Sequence, residues 1–203
     1  MNSFFKVTCF FVFVGLISPT IGKAQSVVQN DAELLPGGAF GEDFGIFLSQ
    51  SDTSGTFGFG VSELPDSQFS FTALLAAQLQ SLYLVTPGQV VSVGFVNSTT
   101  PFVSNSGPFT GVLNLAVGES VFLGYFDDQN FNLGSSNSIP DITDNYGWLE
   151  LGNTASGLQI LDGATAIGFE GIVVGTTTAV PEPGSATLVL GMVAATMLRR
   201  RRA

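Results

Sequence analysis

From residue 45 to residue 174 the chain repeats one pattern, in which short runs alternating apolar and small or polar residues are separated by Gly, Asn, Asp and Pro. A period of two sends successive side chains to opposite faces of a strand, and the intervening residues favour turns. The runs are 45–50 (GIFLSQ), 56–63 (TFGFGVSE), 69–74 (FSFTAL), 79–85, 90–97 (VVSVGFVN), 112–117, 120–126, 146–151 (YGWLEL), 158–161 and 172–174. Within 56–63, Phe57, Phe59 and Val61 share one face. Thr86-Pro87-Gly88-Gln89 places proline at the second position of a turn, and Gly118-Glu119 between two runs reads as a tight hairpin. Only 73–81 (ALLAAQLQS) also fits a short helix. About ten short strands at this spacing predict an all-β fold, an antiparallel β-sandwich or jelly-roll-like single domain over 25–179. That length supports one substantial core and is too short for two.

The pattern breaks at both ends. Lys6 followed by the apolar run 7–18 (VTCFFVFVGLIS), with Gly22-Lys23-Ala24 before Gln25, has the form of a secretory signal peptide over 1–24 cleaved between Ala24 and Gln25. The run is short for a membrane anchor and ends at Ser18-Pro19. At the other end, Val180-Pro181-Glu182-Pro183-Gly184 precedes 185–198 (SATLVLGMVAATML) and then Arg199, Arg200, Arg201 and Arg202. Fourteen helical residues reach about 21 Å against about 30 Å of hydrocarbon, so snorkelling arginines and flanking residues would complete the span. Four arginines would hold the C-terminus in the cytoplasm and the body outside. Two prolines two residues apart keep Glu182 out of that helix, in an extended strip open to a protease.

The order of motif, short helix and basic cluster over 180–203 resembles the PEP-CTERM sorting signal, with Pro181-Glu182-Pro183 as the motif. The resemblance implies export through the Sec translocon, signal-peptidase cleavage and transient anchoring in the inner membrane. Exosortase, a membrane cysteine transpeptidase, would then process the chain, leaving it at the cell surface or in an exopolysaccharide matrix. Tyr146-Gly147-Trp148, followed by 158–162 (LQILD) and an aliphatic strand before the motif, is similar to the closing portion of many PEP-CTERM proteins, and it brings no activity with it.

Charge sharpens the division between ends and middle. All six cations, Lys6, Lys23 and the four arginines, lie in the terminal segments, whereas 25–183 carries sixteen Asp and Glu, no Lys or Arg and no Cys. The chain has no histidine. This excludes Ser-His-Asp and Cys-His nucleophiles, imidazole metal sites, internal disulfides, lysine Schiff bases and a basic nucleic-acid footprint in the body. Carboxylates, hydroxyls, amides and aromatic rings remain.

Three constellations of such groups stand out. Asp127, Asp128, Asn130 and Asn132 present oxygens near alternate positions, as calcium loops do. Leu133 and Ile139 stand where an EF-hand needs Gly and Glu, so a solvated Asx-turn loop is the favoured reading. A second acidic loop spans 141–144. Without an internal cation, any buried carboxylate needs backbone N–H groups, hydroxyls, water or a bound ion such as Ca2+. Tyr146, Trp148 and Glu150 share one strand face, which suits either core packing or stacking against an extracellular polysaccharide. A carboxylate-only glycosidase would pair Asp127 or Asp128 with Glu150 or Glu170, although no spacing selects a pair. The resemblance implies a surface or matrix protein and the composition disfavours catalysis, so the reading is a non-enzymatic surface or matrix protein, with a lectin-like module as the alternative. Asn97-Ser98-Thr99 matches a glycosylation sequon and reads as an ordinary turn.

Overall fold

The alternating runs form strands, and the computed structural model describes residues 26–29, 32–37, 42–48, 58–73, 79–128 and 144–180. In chain order the elements are β1 Ser26–Gln29, β2 Glu33–Pro36, β3 Phe44–Phe47, β4 Phe59–Leu64, β5 Gln68–Ala73, β6 Gln80–Val85, β7 Val90–Ser92 and α1 Val93–Ser98. They continue as β8 Val103–Ser104, β9 Thr110–Asn114, β10 Ser120–Asp127, β11 Asn145–Thr154, β12 Gly157–Ile167, β13 Gly171–Val173 and β14 Ala179–Val180. All pairings are antiparallel. The sheets are β1-β12-β11-β10-β6-β8, β2-β3-β4-β5-β9 and β14-β13-β7. The fold is all-β and sandwich-like, with one short helix among the described residues.

The six-stranded sheet lies in the middle because its strands are apolar on both faces. On β11, Leu149 and Leu151 point one way, whereas Tyr146 and Trp148 point the other. The first face joins Leu82, Leu123 and Tyr125 to Ile46, Phe59, Val61 and Phe71 of the five-stranded sheet. The second joins Tyr83, Phe126, Tyr146 and Trp148 to Val91, Ile172 and Val174 of the small sheet, flanked by Val93, Phe95 and Val96 of α1. Each fully buried large apolar side chain contributes on the order of 1.5–3 kcal/mol of transfer free energy, so both covers are stabilising.

Two close approaches explain two glycines. At Gly147 a Cβ would collide with the Tyr125 ring at Cζ, the hydroxyl and Cε1. At Gly124, on the opposite face, a Cβ would stand 2.6 Å from Cγ2 of Val91. The strand interior gives up side chains at these positions to let a neighbouring ring or sheet come near.

Several expectations are corrected. Residues 90–97 are not one strand, since β7 stops at Ser92 and α1 begins. Ser92 caps that helix, its Oγ accepting from Phe95 N at 3.4 Å, and Ser98 Oγ donates back to Gly94 O at 2.7 Å. Helical spacing then brings Val93 and Val96 together over the second face. The turn at 116–119 forms, with Glu119 N donating to Ala116 O at 3.0 Å, but it is not a hairpin. It passes the chain from β9 in the five-stranded sheet to β10 in the six-stranded one. The turn at 86–89 likewise forms, with Gly88 at φ +84 and Gln89 N donating to Thr86 O, and links β6 to the small sheet. The helical alternative for 73–81 fails where it can be tested, since Ala73 ends β5 and Gln80 and Ser81 begin β6. Four short strands, β1, β2, β8 and β14, fall outside the expected runs.

Candidate functional site

The aromatic strand comes first. Tyr146 and Trp148 are 0% and 2% exposed, so neither ring offers a face to a sugar, and the stacking site anticipated for Tyr146, Trp148 and Glu150 is not formed by these residues. Both rings fill the second face of the central sheet. Trp148 tilts against Phe122 at 6.0 Å between centroids, and Tyr146 against Phe126 at 5.7 Å. The indole N–H donates to Thr176 O at 2.8 Å, giving the polar edge its partner and fastening the turn between β13 and β14 to the central sheet. Tyr83 belongs to the same layer, edge-on to Phe95 of α1 at 5.2 Å. Burial pushes its phenol above the ordinary value of 10, partly opposed by a hydrogen bond with Ser81.

Glu150 shares the Trp148 face and is half-buried, its Oε1 accepting from Ser120 Oγ at 2.6 Å. Register places it directly opposite Asp162, a neighbour that sequence spacing conceals. A β-bulge is the reason: Leu161 is the extra residue on β12, and the pairing resumes as Glu150 with Asp162 and Leu151 with Ile160. Two carboxylates thus face each other across neighbouring strands without a cation. Asp162 Oδ1 accepts from Gly163 N at 2.8 Å.

The acids anticipated as calcium ligands lie at one end of the central sheet. Asp127, the last residue of β10, pairs with Gln80 at the start of β6 and with Asn145 at the start of β11. Asp127, Asp128 and Asp144 are buried at 0–3% exposure. Asp127 Oδ1 accepts from Gln80 Nε2 at 3.1 Å, and Asp128 N donates to Leu79 O at 2.9 Å. Asn130, Asn132 and Asp141 lie outside the described residues, as do Ala24, Gln25, Pro181, Glu182, Pro183 and the four arginines. Among the described residues no group of three or more His, Cys, Asp or Glu is placed to hold a metal ion. Asp127 and Glu150 point to opposite faces of the sheet and stand five register positions apart. At about 3.3 Å per residue they are roughly 16 Å apart, well beyond the 9.5 Å that a glycosidase pair tolerates.

The remaining carboxylates show how an acidic body without cations satisfies its charges. Asp43 Oδ2 accepts from Glu63 N at 2.7 Å, and Glu119 Oε2 accepts from Ala116 N at 2.9 Å. Backbone amides and hydroxyls take the place that Lys and Arg fill elsewhere. Comparison with known protein families, curated proteins and solved structures finds no match to this chain.

Proposed function

We propose that this is an exported, exosortase-processed protein of the cell surface or exopolysaccharide matrix, whose acidic β-sandwich-like body acts by structure and interaction and not by catalysis. The observation that carries the reading is the C-terminal succession of Pro181-Glu182-Pro183, the apolar stretch 185–198 and Arg199 to Arg202. The body supports it in two ways. Its strand β14 is formed by Ala179–Val180, the residues directly before the motif. Its Tyr and Trp rings are buried in packing, and Asp43, Glu119, Glu150 and Asp162 accept hydrogen bonds from amides or a hydroxyl, as suits a structural module. Sec export and signal-peptidase cleavage between Ala24 and Gln25 precede the step. Mass spectrometry of secreted material tests the reading: a mature C-terminus close to Pro183 is expected, and a secreted chain still carrying Arg202 would overturn it. In cells encoding the protease, Glu182→Ala should leave the unprocessed chain in the membrane fraction.

A further inference from the structure

Both ends of the described body emerge at one pole. Ser26, the first residue of β1, pairs with Ile167 at the end of β12, and Val180, the last residue of β14, pairs with Gly171 at the start of β13. Only three residues separate those two partners, four Cα–Cα steps with a reach of at most about 14 Å. Glu170 ties the pole together, its N donating to Val180 O and its O accepting from Val93 N, each at 3.2 Å. The pole therefore comprises 167–171, Val180 and the start of α1. Ile167 also pairs with Asn145, which pairs with Asp127, so the same end of the central sheet holds the buried acids.

We infer that this pole faces the lipid bilayer while the tail is still attached. The inference rests on the tail being a membrane segment, as proposed above. Four residues, 181–184, lie between Val180 and the apolar stretch, which limits their separation to about 17 Å. The headgroup layer takes up roughly 5–8 Å of that on each side of the hydrocarbon. Val180 is held in the small sheet by the β13 ladder, so the body has little slack with which to turn over. Charge favours the same orientation. Among the described residues, the exposed acids Asp43, Glu63, Asp66 and Glu119 lie at the opposite end, and Glu33 on β2 is exposed as well. At the near pole the described acids are Asp127, Asp128 and Asp144, which are buried, and Glu170, which is half-buried, and α1 carries no charged residue. An anionic bilayer repels the far end more than the near one.

The test uses the full chain with Cys9→Ser, reconstituted in vesicles of phosphatidylethanolamine and phosphatidylglycerol containing a headgroup-nitroxide lipid. Fluorophores are attached at Gly94→Cys or Asn97→Cys on α1 and at Ser156→Cys in the β11–β12 turn. All three sites are exposed, and a Cβ at Gly94 meets nothing nearer than Ser92 Oγ at 3.9 Å. The two ends are separated by the length of β11, about 30 Å. Loss of fluorescence at Gly94→Cys and Asn97→Cys, with none at Ser156→Cys, is the expected result. A chain that floats with the vesicles but loses fluorescence equally at all three sites overturns the orientation alone. A chain that does not float overturns the membrane segment and the orientation with it.

Discussion

Both faces of the central sheet are buried, by different means. One meets a five-stranded sheet through aliphatic and phenylalanine side chains, among them Ile46, Phe59, Phe71, Leu123 and Leu149. The other meets a sheet of three short strands and a six-residue helix, through rings with polar edges: Tyr83, Tyr146 and Trp148. A broad sheet can cover its face by area alone. A small cover has little ladder of its own, β14 contributing two residues, and it needs directional contacts such as the bond from Trp148 Nε1 to Thr176 O. The difference shows where most polar-edged rings of this chain sit: Tyr83, Tyr146 and Trp148 lie under the smaller cover, and Tyr125 lies under the five-stranded sheet.

The largest test of that contrast is whether the two faces unfold together. Phe71→Ala and Trp148→Ala should each lower stability by about 3–5 kcal/mol, the usual cost of deleting a buried ring. The measurement is urea unfolding followed by hydrogen exchange. If Trp148→Ala costs under about 1 kcal/mol and deprotects only 171–180, the small sheet is a separate local unit and the two faces are not one core.

Gly147→Ala probes the first face. Its new methyl would collide with the Tyr125 ring, and overpacking of this kind typically costs about 1–3 kcal/mol. Combining it with Tyr125→Leu should recover part of the loss, a coupling that a double-mutant cycle reads directly. Strict additivity would mean that the ring does not hold that place. Tyr125 is itself oriented by a hydrogen bond between its hydroxyl and Thr165 Oγ1.

These cases also show what could be read from the chain before its fold. The alternation in 120–126 and 146–151 correctly marks the two central strands, and period two correctly puts Tyr146 with Trp148 and Leu149 with Leu151. It cannot say which face has a cover, because both are apolar enough to need one. Pro87-Gly88 and Gly118 mark true turns, yet a turn does not disclose whether the next strand returns to its own sheet or crosses to another. Residues 90–97 alternate as one strand would, and the sequence pattern does not show that Ser92 caps a helix there. The facing of Glu150 and Asp162 is hidden by the bulge at Leu161, which shifts the parity of β12 by one. The candidate site was legible to the same limited extent: the buried end of the sheet is signalled by Asp127 and Asp128, but its partners Gln80 and Asn145 come from distant strands.

A smaller effect distinguishes the polar margin of the second face from its core. Like charges directly opposite on neighbouring strands are destabilising, so Asp162→Asn should raise stability at neutral pH by about 0.2–1 kcal/mol. The same substitution in a Glu150→Gln background should give no gain, since the repulsion is already gone. Equal gains in both backgrounds would place the effect in Asp162 alone and not in the pair.

The smallest effect is one of pH, and it too separates the faces. Tyr83 sits in the second layer with its phenol held above 10 by burial, against the edge of Phe95. The folded state therefore keeps a proton that the unfolded chain releases from about pH 10 upward. Stability from this group is complete below pH 10 and falls as pH rises through the higher folded-state value, because the unfolded state then binds fewer protons than the folded one. Tyr83→Phe should remove that part of the alkaline loss while preserving the ring contact with Phe95. Denaturant midpoints measured on both proteins either side of pH 10 check it. An identical alkaline decline in the two proteins would show that the phenol is hydrated, and that the small cover leaves this edge of the second face open to water.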